Sequence, residues 1–209
     1  MDLEERIANS HVLINDEGEI VQIYDKIHLF DAPLGEFELS MLETNRSDSR
    51  ENYTKNEFVN LVNLEESKYV KPGDKIHDPI DTPIGSLGLG ICYDLRFPQF
   101  STRHRLNNAQ VLTYPSAFTV PTGRAHWEVL LRARAIENQA WVIAAAQSGE
   151  HNEKRSSYGH SLVVDPWGKI VLDMNEVENE LAVIEIDPNQ TEKIRNSMPV
   201  VDHFKTELY

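Results

Sequence analysis

Cysteine is nearly absent from this chain: of 209 residues, only Cys92 carries a thiol. No internal disulfide can form, so the fold must hold through packing, as suits a reducing compartment. Positive charge is scarce as well. Lysine and arginine number 20 against 34 aspartates and glutamates, a net charge of −14. A nucleic-acid binder shows a basic face, and anionic membrane surfaces attract basic segments, so neither partner is expected. Long hydrophobic runs are missing too. Nothing approaches the roughly 18 apolar residues of a membrane-spanning helix. The opening MDLEERIANSHVL is charged and lacks the apolar core of a signal peptide. His28, His126 and His160 stand at no metal-ligand spacing. No repeat or linker divides the chain. What is present is 40% hydrophobic residues, enough for one single-core domain over residues 1–209.

The chain is organised around Thr82–Pro98, TPIGSLGLGICYDLRFP. Leu87, Gly88, Leu89, Gly90 and Ile91 alternate apolar with small, the pattern of a strand closely approached by other backbone. After Cys92 the sequence turns polar, and Pro98 is suited to open a helix. A cysteine at the junction of a buried strand and a turn resembles a nucleophile elbow, with backbone N–H groups placed for an oxyanion. The competing reading is a small buried hydrophobe, since free cysteine is among the most buried residue types.

Along the chain, Met1–Ser10 reads as a short polar helix. His11–Ile14 and Glu19–Tyr24 form a hairpin across the turn Asn15–Gly18. Lys26 follows, beside the apolar run Ile27–Phe30; a solvated lysine is the ordinary alternative. Residues 39–57 are polar and read as an exposed insertion. Helical spacing returns over Phe58–Lys68. Lys75–Thr82 and Ser86–Ile91 make a second hairpin, Phe97–Asn108 a helix and Val111–Tyr114 a buried strand. Arg124–Asn138 is the clearest helix, with Trp127, Leu130, Leu131 and Ala135 on one face. Arg134 falls on that stripe and so needs a partner there. Strands are expected at Trp141–Ala146, Gly159–Val164, Lys169–Leu172 and Leu181–Ile186, then a helix at Pro188–Arg195 and an irregular tail. Helices and strands alternate, but hairpins interrupt them. The class is therefore α/β with mixed pairing, a two-sheet sandwich with helices outside.

YDKIHLFD (Tyr24–Asp31), PGD (Pro72–Asp74), DTPIGSLGLGICYDLRFP (Asp81–Pro98), YPSAFTVPTGRAHWEVLLRARAIENQ (Tyr114–Gln139) and GHSLVVDPWGKI (Gly159–Ile170) resemble the carbon–nitrogen hydrolase (nitrilase) superfamily. Within its Nit branch the chain is most similar to amidases of deaminated glutathione. The resemblance implies an αββα four-layer sandwich and a Glu-Lys-Cys catalytic set. Cys92 matches the nucleophile and Lys26 the catalytic lysine. Glu66 matches a second glutamate that positions substrate or lysine, with Glu65 the neighbouring alternative. Tyr93 supplies the oxyanion N–H, and Glu128 takes a supporting place. The family's first strand-helix-strand unit, which ends in the general-base glutamate, has no counterpart before His11. The expectation is a domain lacking that segment. The resemblance implies a small-molecule amide substrate, a homo-oligomer, no cofactor or metal, and a cytoplasmic location, with a mitochondrial form if a longer N-terminus exists.

An amide is a poor electrophile, and a cysteine divides its hydrolysis into acylation and thioester hydrolysis. Lys26 would favour the thiolate and the oxyanion. Without the glutamate base, the rate should fall by about 10² to 10⁴. Asp94 and Arg96 either pair beside the elbow, the preferred reading, or contact a substrate carboxylate. His126-Trp127-Glu128 also fits, on paper, the His-x-Glu pair of class I glutamine amidotransferases. Those residues lie in the first turns of the clearest helix, and the elbow lacks a glycine two residues after Cys92, so that reading is disfavoured. The rival of another class is a catalytically impaired Nit protein that acts by binding or oligomerising.

Overall fold

A computed structural model describes residues 5–32, 64–153, 155–176, 180–205 and 208. The polar segment 39–57 and most of the expected helix at 58–68 lie outside the described residues.

The hairpin at the front forms as its turn residues dictate. Strands β1 (Ser10–Ile14) and β2 (Ile20–Asp25) pair antiparallel. Gly18 supplies the positive φ of 83° between them. Of the helix expected at Met1–Ser10, residues 1–4 lie outside the described residues; Glu5 is 3₁₀-helical, and by Ile7 the chain has left the helix to bridge to Val70. Short strands β3 (Asp31–Ala32) and β4 (Leu64–Glu65) pair next, and a 3₁₀ turn, Glu66–Lys68, follows.

The centre of the molecule is a six-stranded mixed sheet. Its strands are β5 (Ile80–Thr82), β6 (Gly85–Leu89), β7 (Val111–Thr113), β8 (Trp141–Ala144), β11 (Leu162–Val164) and β12 (Ile170–Asp173), in the order β12-β11-β8-β7-β6-β5. β6, β7 and β8 run parallel, and the outer strands are antiparallel. Val111, Leu112, Val142 and Val164 are buried to within 1% of full burial, as expected of strands covered on both faces. Helices α1 (Pro98–Leu106) and α2 (Val120–Asn138) pack on one another, and α2 packs on β8 and β11. The result is the expected α/β sandwich architecture with mixed pairing.

Several boundaries moved for identifiable reasons. α2 begins at Val120, four residues before Arg124, because Pro121 suits a first helical turn. The strand expected at Gly159–Val164 is broken by left-handed residues, Gly159 (φ 78°) and His160 (φ 57°). β11 starts only at Leu162, and Arg155–Tyr158 belongs to a separate hairpin, β9 (Ser148–Asn152) with β10. That hairpin is polar and carries little hydrophobic alternation, so the pattern did not mark it. Leu181–Ile186 keeps a strand's alternation, with Leu181 90% and Val183 87% exposed and Ile184 and Ile186 packed inward. Among the described residues it joins no sheet. Helix α3 (Pro188–Ser197) is capped by the Asp187 carboxylate, which accepts from the Asn189 N–H. A one-turn helix α4 (Val200–His203) interrupts the tail expected to be irregular.

Arg134 has the partners its place on the apolar stripe demands. Only 3% exposed, it donates from Nε to the Leu95 carbonyl at 2.9 Å and from Nη1 to Glu137 at 2.9 Å.

Candidate active site

Strand β6 ends at Leu89 and the chain turns within three residues. Cys92 opens a 3₁₀ turn, Cys92–Arg96, and has φ = 45°. A left-handed φ at a side chain other than glycine, asparagine or aspartate is strained and persists only where the surroundings over-determine it. Here the Cys92 N–H donates to the Pro115 carbonyl at 3.0 Å and the Gly90 N–H to Thr113 at 2.9 Å. The turn is thus hung on the segment that continues β7. The conformation presents the half-buried thiol to a cleft of about 1020 Å³.

Lys26 lines the same cleft from the end of β2. It is 3% exposed, and its Nζ meets Glu66 Oε2 at 2.5 Å. A buried ammonium needs such a counter-charge. Glu66 is held in turn: Oε2 also accepts from the Phe30 N–H at 2.7 Å, and Oε1 from the Asn9 side-chain amide at 3.2 Å. Glu65, one residue away, pairs with Lys68 instead. Of the two adjacent glutamates, Glu66 is therefore the one that meets the lysine.

Burial pushes the Cys92 thiol above its ordinary value. Lys26 pulls the other way, as do the Ala117 N–H and the Ser116 hydroxyl, while Glu66 adds to the rise. Ser116 and Ala117 are site residues that the sequence reading did not single out. They stand in the loop after β7, where Ser116 bridges to Ala146. Their signal was the run YPSAF, whose placement opposite Cys92 depends on the parallel pairing of β6 with β7.

Asp94 and Arg96 do not pair, contrary to the preferred reading. Asp94 is fully buried beneath the turn and accepts from Tyr24, His28 and the Ile91 N–H. Arg96 points the other way, toward the cleft. It stands over the rings of Phe118 (5.2 Å) and Tyr93 (6.0 Å), with Nη1 at 3.2 Å from His126 Nδ1. No carboxylate among the described residues pairs with it. Tyr93 also lines the cleft, its ring edge-on to Phe30 and Phe97. Glu128 is not brought to the cleft: it lies exposed on α2, 3.3 Å from Arg132 one turn along. Among the described residues, no cluster of three or more histidine, cysteine, aspartate or glutamate side chains is placed to hold a metal ion. None of their helices is long and apolar enough to cross a membrane.

A mixed-sheet α/β sandwich presenting a strained cysteine beside a buried lysine–glutamate pair defines a class of cysteine-centred α/β domain. The chain belongs to the Carbon-nitrogen hydrolase family, which it matches over residues 3–196. It is 42% identical to the nitrilase and fragile histidine triad fusion protein NitFhit of Drosophila melanogaster, across 99% of this chain and 39% of that protein. It is 44% identical to the deaminated glutathione amidase of Mus musculus, across 98% of this chain and 56% of that protein. The chain thus spans about half the length of the curated relatives it matches. Among solved structures, the C. elegans NitFhit protein superposes with a TM-score of 0.82 at 44% identity, covering 98% of this chain and 44% of that one. Saccharomyces cerevisiae Nit3, a member of branch 10 of the nitrilase superfamily, gives 0.73 at 32% identity, covering 99% and 62%.

Proposed function

We propose that this chain is an amidase that hydrolyses a small-molecule amide through a thioester on Cys92. The observation that carries the reading is the meeting of three residues in one cleft: Cys92 in its strained turn, and Lys26 fixed at 2.5 Å by Glu66. In the first step Cys92 Sγ attacks the amide carbon, and the carbonyl electrons move to oxygen. Lys26 and the Tyr93 N–H stabilise that oxyanion. Collapse breaks the C–N bond and releases the amine or ammonia, whose nitrogen takes the proton that the Cys92 thiol gave up. Water then cleaves the thioester, freeing the acid and restoring the thiol. The similarity to deaminated glutathione amidases makes deaminated glutathione the first substrate to test. Arg96, facing the cleft without a carboxylate of the described residues beside it, is placed to hold an acidic group of such a substrate.

A second reading has its own support. Among the described residues, the carboxylates lining the cleft are Glu65 and Glu66, and each is held by a lysine. Neither is free to take the thiol proton, which favours a protein that binds the amide without turning it over. A homo-oligomer is part of both readings.

The test incubates the chain and its Cys92→Ala variant with deaminated glutathione and follows product by chromatography and adduct by intact-mass measurement. The amidase reading expects a Cys92 acyl adduct or released product that the variant lacks. A thiol that stays unmodified and unproductive while the ligand binds supports the second reading.

A further inference from the structure

We infer that Asp94 is a positioning residue, whose buried carboxylate ties the loop carrying Lys26 to the turn carrying Cys92. The inference rests on the reading of Cys92 and Lys26 just proposed and adds a residue that makes no contact with the reacting atoms.

Asp94 is fully buried. Its Oδ2 accepts from the Tyr24 hydroxyl at 2.7 Å and from the Ile91 N–H at 2.9 Å. Its Oδ1 accepts from the His28 N–H at 3.3 Å and lies 2.7 Å from His28 Nδ1. Tyr24 stands two residues before Lys26 and His28 two residues after it. Ile91 directly precedes Cys92, and Asp94 is two residues beyond it. One carboxylate thus brackets the lysine on both sides and the cysteine on both sides. The Tyr24 hydroxyl also accepts from the Ile27 N–H at 3.3 Å, and the His28 ring stacks on Phe97 at 3.7 Å. Both contacts close the same bracket. Lys26 and Cys92 lie far apart in the chain and follow strands, β2 and β6, of different sheets. Their relative position has to be enforced by such a cross-link, because small displacements of a catalytic group are costly. A wholly buried carboxylate facing four donors is well suited to the task, because a buried hydrogen-bond network is rigid when every member is satisfied.

The charged groups acting on Cys92 are Lys26 and Glu66, from the lysine loop and the 3₁₀ turn after β4, and Arg96 from its own turn; Tyr93 lines the same cleft. Asp94 is not among the groups that act on the thiol directly; it reaches the thiol by holding Lys26 and the Cys92 turn in register. Its removal should therefore show in the thiol's titration, which a merely structural aspartate would leave alone.

Because Cys92 is the only cysteine, the rate of its alkylation by iodoacetamide reports one thiol. The rate is measured against pH for the wild-type chain and for Lys26→Gln, Asp94→Asn and Tyr24→Phe, each checked by near-ultraviolet circular dichroism. Asn keeps the shape of Asp but offers one acceptor oxygen where the donors need two. Loss of the lysine charge should raise the alkylation midpoint by about one pH unit or more. Asp94→Asn should move it most of the way to the Lys26→Gln value with Lys26 and Glu66 still present. Tyr24→Phe should move it less, in the same direction. If Lys26→Gln shifts the midpoint while Asp94→Asn and Tyr24→Phe keep the wild-type value, the inference is overturned and the proposed roles of Cys92 and Lys26 stand. A midpoint unmoved by Lys26→Gln overturns the role of the lysine and the inference together. Should Asp94→Asn fail to fold, Tyr24→Phe and His28→Asn decide, and a wild-type midpoint in both overturns it.

Discussion

Arg96 shows how a residue's surroundings set its use. Its guanidinium sits on two aromatic rings at the cleft, and partial burial lowers its pKa somewhat. A cation so placed attracts a planar acid more strongly than one in open water, and arginine's fork fits a carboxylate where lysine's point charge does not. Replacing it should therefore harm binding more than fold. On the proposed amidase reading, Arg96→Gln in a Cys92→Ala background is expected to weaken binding of deaminated glutathione by roughly 10-fold or more, about the worth of one charge-assisted hydrogen bond. Isothermal titration calorimetry measures this directly, and an unchanged Kd would free Arg96 from the substrate. The residue types at the site were legible in the sequence, but their partners were not. Asp94 and Arg96 stand two apart in a polar turn, which invites pairing. The 3₁₀ geometry of Cys92–Arg96 sends one inward and the other to the cleft.

Two glycines set how closely helix α1 approaches the central sheet. The alternation of glycine with leucine in β6 suggests another backbone close by, and the structure puts side chains there instead. A Cβ on Gly88 would come within 2.8 Å of the His104 ring, and one on Gly90 within 2.7 Å of Tyr114 and 2.9 Å of Phe100. Helix α1 can lie close to β6 because those positions have no side chain. His104 is 1% exposed and has no room to retreat. Gly88→Ala should therefore destabilise the domain by about 1–3 kcal/mol, the usual cost of overpacking. A urea midpoint equal to the wild type's would contradict that packing. Helix existence was clear in the sequence because the 3.6-residue period of Trp127, Leu131 and Ala135 is strong. The β9–β10 hairpin was not, because polar strands leave no such trace.

For the molecule as a whole, the buried imidazole of His104 makes stability depend on pH. Desolvation lowers its pKa from the ordinary 6.5 to about 4. Among the described residues its ring nitrogens have no hydrogen-bond partner, and burial outweighs the opposing Leu89 backbone. In the folded chain His104 stays neutral down to about pH 4, whereas the unfolded chain takes up its proton below about 6.5. Between those values the unfolded state binds more protons, so stability falls with falling pH. The loss from this residue is complete below about pH 4 and amounts to about 3 kcal/mol at most. Burial lowers His11 in the same direction. Urea denaturation at pH 7.5 and pH 5 should show the decline, and His104→Phe should flatten it. A profile of unchanged slope in a folded His104→Phe chain would place the pH dependence elsewhere.

The sequence by itself determined the class of fold, helices α1 to α3 and the central strands, because hydrophobic periodicity and turn chemistry are local properties. It also marked Cys92, Lys26 and Glu66, through motifs long enough to resemble one family. Only the tertiary structure decided which of two adjacent glutamates meets the lysine, that Asp94 is buried under the turn while Arg96 faces the cleft, and that Glu128 stays on the surface. Those outcomes depend on how β2, β6 and the loop after β7 come together. Contacts across 40 or 70 residues of chain, such as Lys26 with Glu66 and Tyr24 with Asp94, are set by sheet order and register, which no local pattern encodes.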